Sequence, residues 1–212
     1  MYKSSNNIKA YLFLTLAALF WSGNFIVGKV ASFYNIPPFS LNFYRWFFAF
    51  LILLPFTYQE VINNKDYILR NIGLFIVLGI TSITIFNSIV YYSLYYTQVI
   101  SGILMISTIP VWILFFASVL KIERTNIFQI LGVILSLTGV MFIITKADIK
   151  LIKELEFNKG DLSMVIGMLS WAIYSALLRK KIHPISQLAT LEIIIICGFI
   201  FLTPIYFIEM SL

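Results

Sequence analysis

The sequence predicts an all-α integral membrane protein of about seven transmembrane helices: one complete five-helix unit, then the first two helices of an inverted second unit. Three observations carry this. Of the 212 residues, 60% are hydrophobic and only 11% charged, too apolar a mixture for a chain that must cover its whole surface with polar groups. The apolar residues gather into runs long enough to cross a bilayer, about 20 residues each as a helix. Landmarks of the first run also recur, in order, about 150 residues later.

Helices are the expected form of each span, since within lipid every backbone N–H and C=O must be paired inside its own segment. Apolar length and interruptions by charge, Pro or Asn place the spans at 10–32, 40–58, 71–94, 99–120, 126–145, 161–179 and 187–208. The first follows Lys3 and Lys9 like a secretory leader, but it runs on from Ala10 to Gly28 without a small-residue cleavage site and reads as a retained helix. The third and fourth share a stretch from Asn71 to Leu120 that is fifty residues long and free of charge. That is two crossings and a turn, and the Tyr91-Tyr92, Tyr95-Tyr96 and Gln98 cluster is the expected interfacial turn.

Basic residues mark orientation. With the N-terminus inside, nine fall on the cytoplasmic side: Lys3, Lys9, Lys65, Arg70, Lys121, Arg124, Arg179, Lys180 and Lys181. Five fall outside: Lys29, Lys146, Lys150, Lys153 and Lys159, the last four in the 146–160 connection. A cytoplasmic N-terminus in the cell (plasma or inner) membrane is therefore expected, with Leu212 outside. The net charge of +6 serves topology in this reading and does not point to nucleic acid.

Offset by 150, Leu12 meets Leu162, Leu19 meets Leu169, Trp21 meets Trp171 and Lys29 meets Arg179. Small length changes bring Pro38 to Pro184 and Pro55 to Pro204. A unit starting near residue 10 and again near 161 holds five helices, and an odd count starts the second copy from the opposite side. The organisation is then a five-helix unit over 10–145, an extramembrane connection over 146–160 and an incomplete unit over 161–212. About three helices of the second copy are missing from this stretch.

The residues resemble the drug/metabolite transporter superfamily, in particular its EamA-type members. The first span carries Ala17-Ala18-Leu19-Phe20-Trp21-Ser22-Gly23-Asn24-Phe25, and the second carries Pro37-Pro38 followed by Arg45-Trp46-Phe47-Phe48-Ala49. Later come Ser107-Thr108-Ile109-Pro110-Val111, Glu123-Arg124, Gln129-Ile130-Leu131-Gly132, Gly160-Asp161-Leu162 and Trp171-Ala172-Ile173-Tyr174. The resemblance covers residues 10–180 and implies export or exchange of small metabolites, such as amino acids, by alternating access through a cavity lined by both units. Members of this type usually have ten helices. The alternative is a truncated, non-transporting remnant, or a subunit whose missing helices come from a partner.

Several side chains could line such a cavity. An amide or indole N–H at mid-membrane depth needs a partner, which a cavity or a substrate can supply, so Trp21, Asn24, Asn87, Tyr91, Trp171 and Tyr174 are the candidates. The competing reading of each is a bond or packing contact with a neighbouring helix. Arg45 and Glu192 are the intramembrane charges, each costing at least ~2.5–3.5 kcal/mol to insert. Arg45 lies roughly 10 Å along a helix from Pro38, so it can snorkel to the outer interface, or else anchor a helix end or an anionic substrate group. Glu192 can pair with Arg179-Lys180-Lys181 or serve proton coupling. Pro110 removes a helix hydrogen bond in the fourth span and is a candidate kink.

One cysteine (Cys197) and one histidine (His183) exclude an internal disulfide and a histidine metal site. No phosphate loop, nucleophile triad or paired catalytic acids appear, so neither enzyme activity nor a cofactor or metal is expected. The expected partners are the lipid bilayer and a small-molecule substrate, with a homo-oligomer or a partner chain left open.

Overall fold

The computed structural model describes residues 3–123, 125–144, 158–179 and 184–211. Arg124, the 146–160 connection up to 157, Lys180, Lys181, His183 and Leu212 lie outside the described residues. Seven long helices account for most of the rest: α1 (Lys3–Phe33), α2 (Pro38–Asn63), α3 (Ile72–Tyr96), α4 (Val99–Val119), α5 (Ile127–Ile144), α6 (Lys159–Arg179) and α7 (Gln187–Met210). Six are long and apolar enough to cross a membrane, and α5 is a shorter apolar helix. There is no strand among the described residues. The chain is a multi-pass, all-α membrane protein.

The observed helices overrun several expected spans by a few residues, and a short helix, Lys65–Arg70, fills the α2–α3 link. The turn between α3 and α4 needs correction. It consists of Thr97 and Gln98 alone, while Tyr91, Tyr92, Tyr95 and Tyr96 continue α3. Tyr91 is buried because its hydroxyl has polar partners inside the bundle, so an interfacial position would waste them.

Polar contacts at the helix ends fix the directions. Lys29, near the end of α1, donates to the carbonyls of Leu94 and Thr97 at the end of α3, at 2.7 and 3.1 Å. The Thr97 hydroxyl donates to the buried Asp161 carboxylate at the start of α6. So α1 ends where α6 begins. Helices α1 and α6 therefore run in opposite directions, and their Trp21 and Trp171 rings lie 6.2 Å apart.

The pair α2 and α7 is likewise antiparallel. Glu209 accepts from Phe39 N, Ser40 N and Ser40 Oγ at 3.1, 2.6 and 2.8 Å, capping the orphan N–H groups at the start of α2 with a carboxylate. At the other end Glu60 accepts from Ser186 N and Oγ at 2.5 and 2.6 Å. Pro55 and Pro204 each stand 17 residues past the first residue of their helix, as two copies of one pattern would place them.

Two apolar clusters form the core. One joins Phe75, Leu78 and Ile83 of α3 to Ile193, Ile194 and Leu202 of α7, with Phe43, Phe50 and Leu53 of α2 against it. The other joins Phe25 of α1, Phe86, Val90 and Leu94 of α3, Ile109 of α4, and Met164 and Met168 of α6. Helix α3 runs through both. Large apolar side chains such as Phe128 and Leu135 point outward, as a lipid-facing surface requires.

Over Ile80–Phe86 α3 widens into a π-helical stretch. Such winding disturbs the regular backbone pairing, and here polar side chains cover the carbonyls. Ser170 Oγ donates to Thr81 O at 2.8 Å, Asn87 Nδ2 to Ser82 O at 2.7 Å and Asn42 Nδ2 to Ile83 O at 2.8 Å. The same stretch meets α7 closely: Thr84 Oγ1 donates to Gly198 O at 2.9 Å. A Cβ on Gly198 would lie 2.5 Å from Ile83 Cβ, so only glycine fits there.

Candidate functional site

The site grows from three helices. Asn24 of α1 is one turn from Trp21, Arg45 of α2 is one turn from Asn42, and Tyr91 of α3 is one turn from Asn87, so each pair shares a helix face. Where the faces meet, Arg45 Nη1 donates to Asn24 Oδ1 at 3.0 Å, Asn87 Oδ1 at 2.9 Å and Tyr91 Oη at 2.6 Å. Tyr91 Oη in turn donates to Asn24 Oδ1 at 2.5 Å. The Arg45 Cζ stands 4.8 Å from the Trp46 ring centroid and 5.9 Å from that of Tyr91. A cationic head so placed gains from the negative ring faces.

This settles the direction of Arg45. It does not snorkel outward; it turns into the bundle, where three oxygen acceptors offer more than an interface about two helical turns away. All three acceptors are neutral, and among the described residues the one ion pair joins Arg179 to Glu123 at 3.3 Å. The positive charge therefore has no carboxylate beside it.

Beside this cluster lies a cavity of about 600 Å³ whose lining includes Trp21, Asn24, Arg45 and Tyr91 together with Leu19 and Phe20. Several lining groups of α1 are exposed, Phe20 at 75% and Leu19 at 64%, so the α1 wall has an open side.

The other candidates are distributed around this centre. Trp171 contacts Trp21 and Phe86, 6.2 and 4.4 Å away, and Tyr174 lies tilted against it at 4.9 Å, packed on the apolar cluster that includes α7. Asn87 is buried beneath Arg45 and spends its amide N–H on Ser82 O. Pro110 is the second residue of the half-helix Ile109–Val119, after a break at Thr108, and faces a separate cavity of about 450 Å³ with Ser107 and Arg179. Glu192 is buried, and its carboxylate oxygens have no hydrogen-bond partner among the described residues. Its expected partner Arg179 is engaged by Glu123 instead, while Lys180 and Lys181 lie outside the described residues.

Sequence reasoning missed Asn42, Ser88 and Ser170, which support the site from behind. Asn42 is wholly buried and binds Ile83 O and Ser88 Oγ, each at 2.8 Å. The signal was there: a lone amide in an apolar run, as with Asn24. No three His, Cys, Asp or Glu side chains gather at metal-binding spacing among the described residues.

Residues 8–145 match the EamA-like transporter family. The chain belongs to that family. Among curated relatives, it is 27% identical over 192 residues to the uncharacterized transporter YyaM of Bacillus subtilis, covering 91% of this chain and 63% of the relative. An uncharacterized transporter of Archaeoglobus fulgidus is 27% identical over 198 residues, or 93% of this chain and 67% of the relative. The EamA-like chain thus spans about two thirds of the length of these relatives. No solved structure gave a significant match.

Proposed function

We propose that this EamA-like protein transports a small organic metabolite, such as an amino acid, across the cell membrane by alternating access. The observation that carries the reading is the Arg45, Asn24, Asn87 and Tyr91 cluster beside a cavity of about 600 Å³, a size suited to one small molecule. Buried polar groups that converge on a cavity within apolar helices are the means by which transporters hold a solute at membrane depth. The antiparallel α1 and α6, with their facing tryptophans, support a mechanism in which two inverted halves rock against each other. The open α1 wall is where further helices, from a longer chain or a partner, would close the cavity.

In this reading the N-terminus is cytoplasmic, which places the Lys65, Arg70 and Lys121 end of the bundle inside. The test is flux. Proteoliposomes carrying the protein are screened over a broad metabolite panel, with protein-free liposomes as reference. Uptake or efflux of at least one solute class is expected, and equal flux across the whole panel would remove the transport reading. Orientation is checked separately in a Cys197→Ser background, where a cysteine introduced at Lys65 should label only after the cells are permeabilised.

A further inference from the structure

We infer that the cavity takes an anion, specifically a monocarboxylate with an apolar body, in preference to a neutral, zwitterionic or cationic solute. This rests on the cavity being the solute site proposed above, and it narrows the small metabolites named there away from amino acids, which are zwitterions, to carboxylates without an ammonium group. All three side-chain hydrogen bonds of the Arg45 guanidinium run through Nη1. Nε and Nη2 carry no bond to a described residue. They are not among the polar atoms buried without a partner, so they keep accessible surface, and Arg45 is one of the residues that line the cavity.

The Nε–H and Nη2–H groups form one edge of the planar fork, and two parallel N–H donors match the two oxygens of a carboxylate. The charge balance points the same way. A guanidinium is a cation, its acceptors here are an asparagine pair and a tyrosine hydroxyl, and no Asp or Glu among the described residues lines the cavity. A carboxylate entering would supply the missing counter-charge, whereas an ammonium would meet a cation in a poorly solvated space. The rest of the lining, Leu19, Phe20 and Trp21 among it, offers apolar and aromatic surface to the body of the ligand.

The experiment compares four ligands of one shape: phenylacetate, phenylacetamide, phenylalanine and phenethylamine. Binding is measured by calorimetry to the purified protein in phosphatidylcholine nanodiscs. Phenylacetate should bind at least about tenfold more tightly than its amide, the gain expected of a charge-assisted pair. The preference should vanish in Arg45→Gln and persist in weakened form in Arg45→Lys. If Arg45→Gln does not fold, the comparison on the native protein still decides. Equal affinity for acid and amide, or preference for phenylalanine or phenethylamine, overturns the inference.

Two further arms separate the alternatives. Unchanged phenylacetate affinity after phosphatidylglycerol replaces part of the lipid assigns the site to the soluble anion; abolished binding assigns it to a lipid headgroup and overturns the proposal. Flux of some solute without carboxylate preference leaves transport standing and removes the anion site. Selective carboxylate binding without flux of any solute does the reverse.

Discussion

Substituting Gly79 tests the close contact of α3 on α7. A Cβ at Gly79 would sit 2.6 Å from Gly198 N and 2.8 Å from Ile194 O, both backbone atoms of α7 that cannot swing aside. Relieving this requires α3 and α7 to separate by several tenths of an ångström, and overpacking of this kind costs about 1–3 kcal/mol, with a backbone clash at the upper end. The better helix propensity of alanine returns up to about 1 kcal/mol. Gly79→Ala is thus expected to lose about 2 kcal/mol, or roughly 4–8 °C in Tm for a domain of this size. Gly132→Ala is the control, because nothing lies within 4 Å of its added Cβ. It should match or exceed the parent.

The single cysteine, Cys197, is buried beside Gly198, so a maleimide dye that fluoresces on reaction reports unfolding at the contact itself. If Gly79→Ala melts within about 1 °C of Gly132→Ala, a difference well below the Tm change expected for 1 kcal/mol, the close packing of α3 on α7 is refuted.

Three other substitutions probe the polar framework with the same dye. Asn42→Leu removes the donor to Ile83 O and Ser88 Oγ and should cost about 1–3 kcal/mol, since the carbonyl is left buried beside an apolar side chain. Glu123→Gln breaks an ion pair whose side chains are 57% and 48% exposed, so a stability change under about 1 kcal/mol is expected in melts at low and high salt. Glu192→Gln should leave Tm unchanged or raise it, because the buried carboxyl has no hydrogen-bond partner among the described residues, so an uncharged amide lowers the desolvation cost and breaks no bond to them. A drop of several degrees would reveal a partner for Glu192.

The spans were legible because lipid imposes a length and an apolar composition that a linear sequence displays directly. Direction around a helix axis is another matter. Arg45 lies close enough to Pro38 for its side chain to reach the outer interface, and spacing alone makes that exit available. What turns it inward is the arrival of Asn24 and Asn87 from two other helices. Tyr91 shows the same limit: a tyrosine-rich stretch suggests an interface, yet this ring faces the interior because α1 and α2 bring an amide and a guanidinium to its hydroxyl. The π-helical stretch had no visible cue, since the side chains that cover its carbonyls come from positions 42, 87 and 170.

Those supports tie the cavity to the far side of the bundle. Asn87 accepts from Arg45 with its oxygen and donates to Ser82 O with its nitrogen, so one amide spans from the guanidinium to the π-helical backbone. Two residues further along that backbone, Thr84 holds Gly198 of α7. A ligand that draws Arg45 away from Asn87 would free the amide to rotate, and the Ser82 carbonyl would lose its side-chain donor within the π-helical stretch of α3. Restoring a local partner by shifting from π to α winding would turn the following residues about the helix axis and move Ile83 against Gly198, where no slack exists. The chain of bonds from Arg45 through Asn87 to the contact of α3 on α7 predicts that phenylacetate shifts the Cys197 dye melt of the parent. Asn87→Leu, which leaves Trp21 and Arg45 lining the cavity, should remove the shift, and an equal shift in both proteins refutes the coupling.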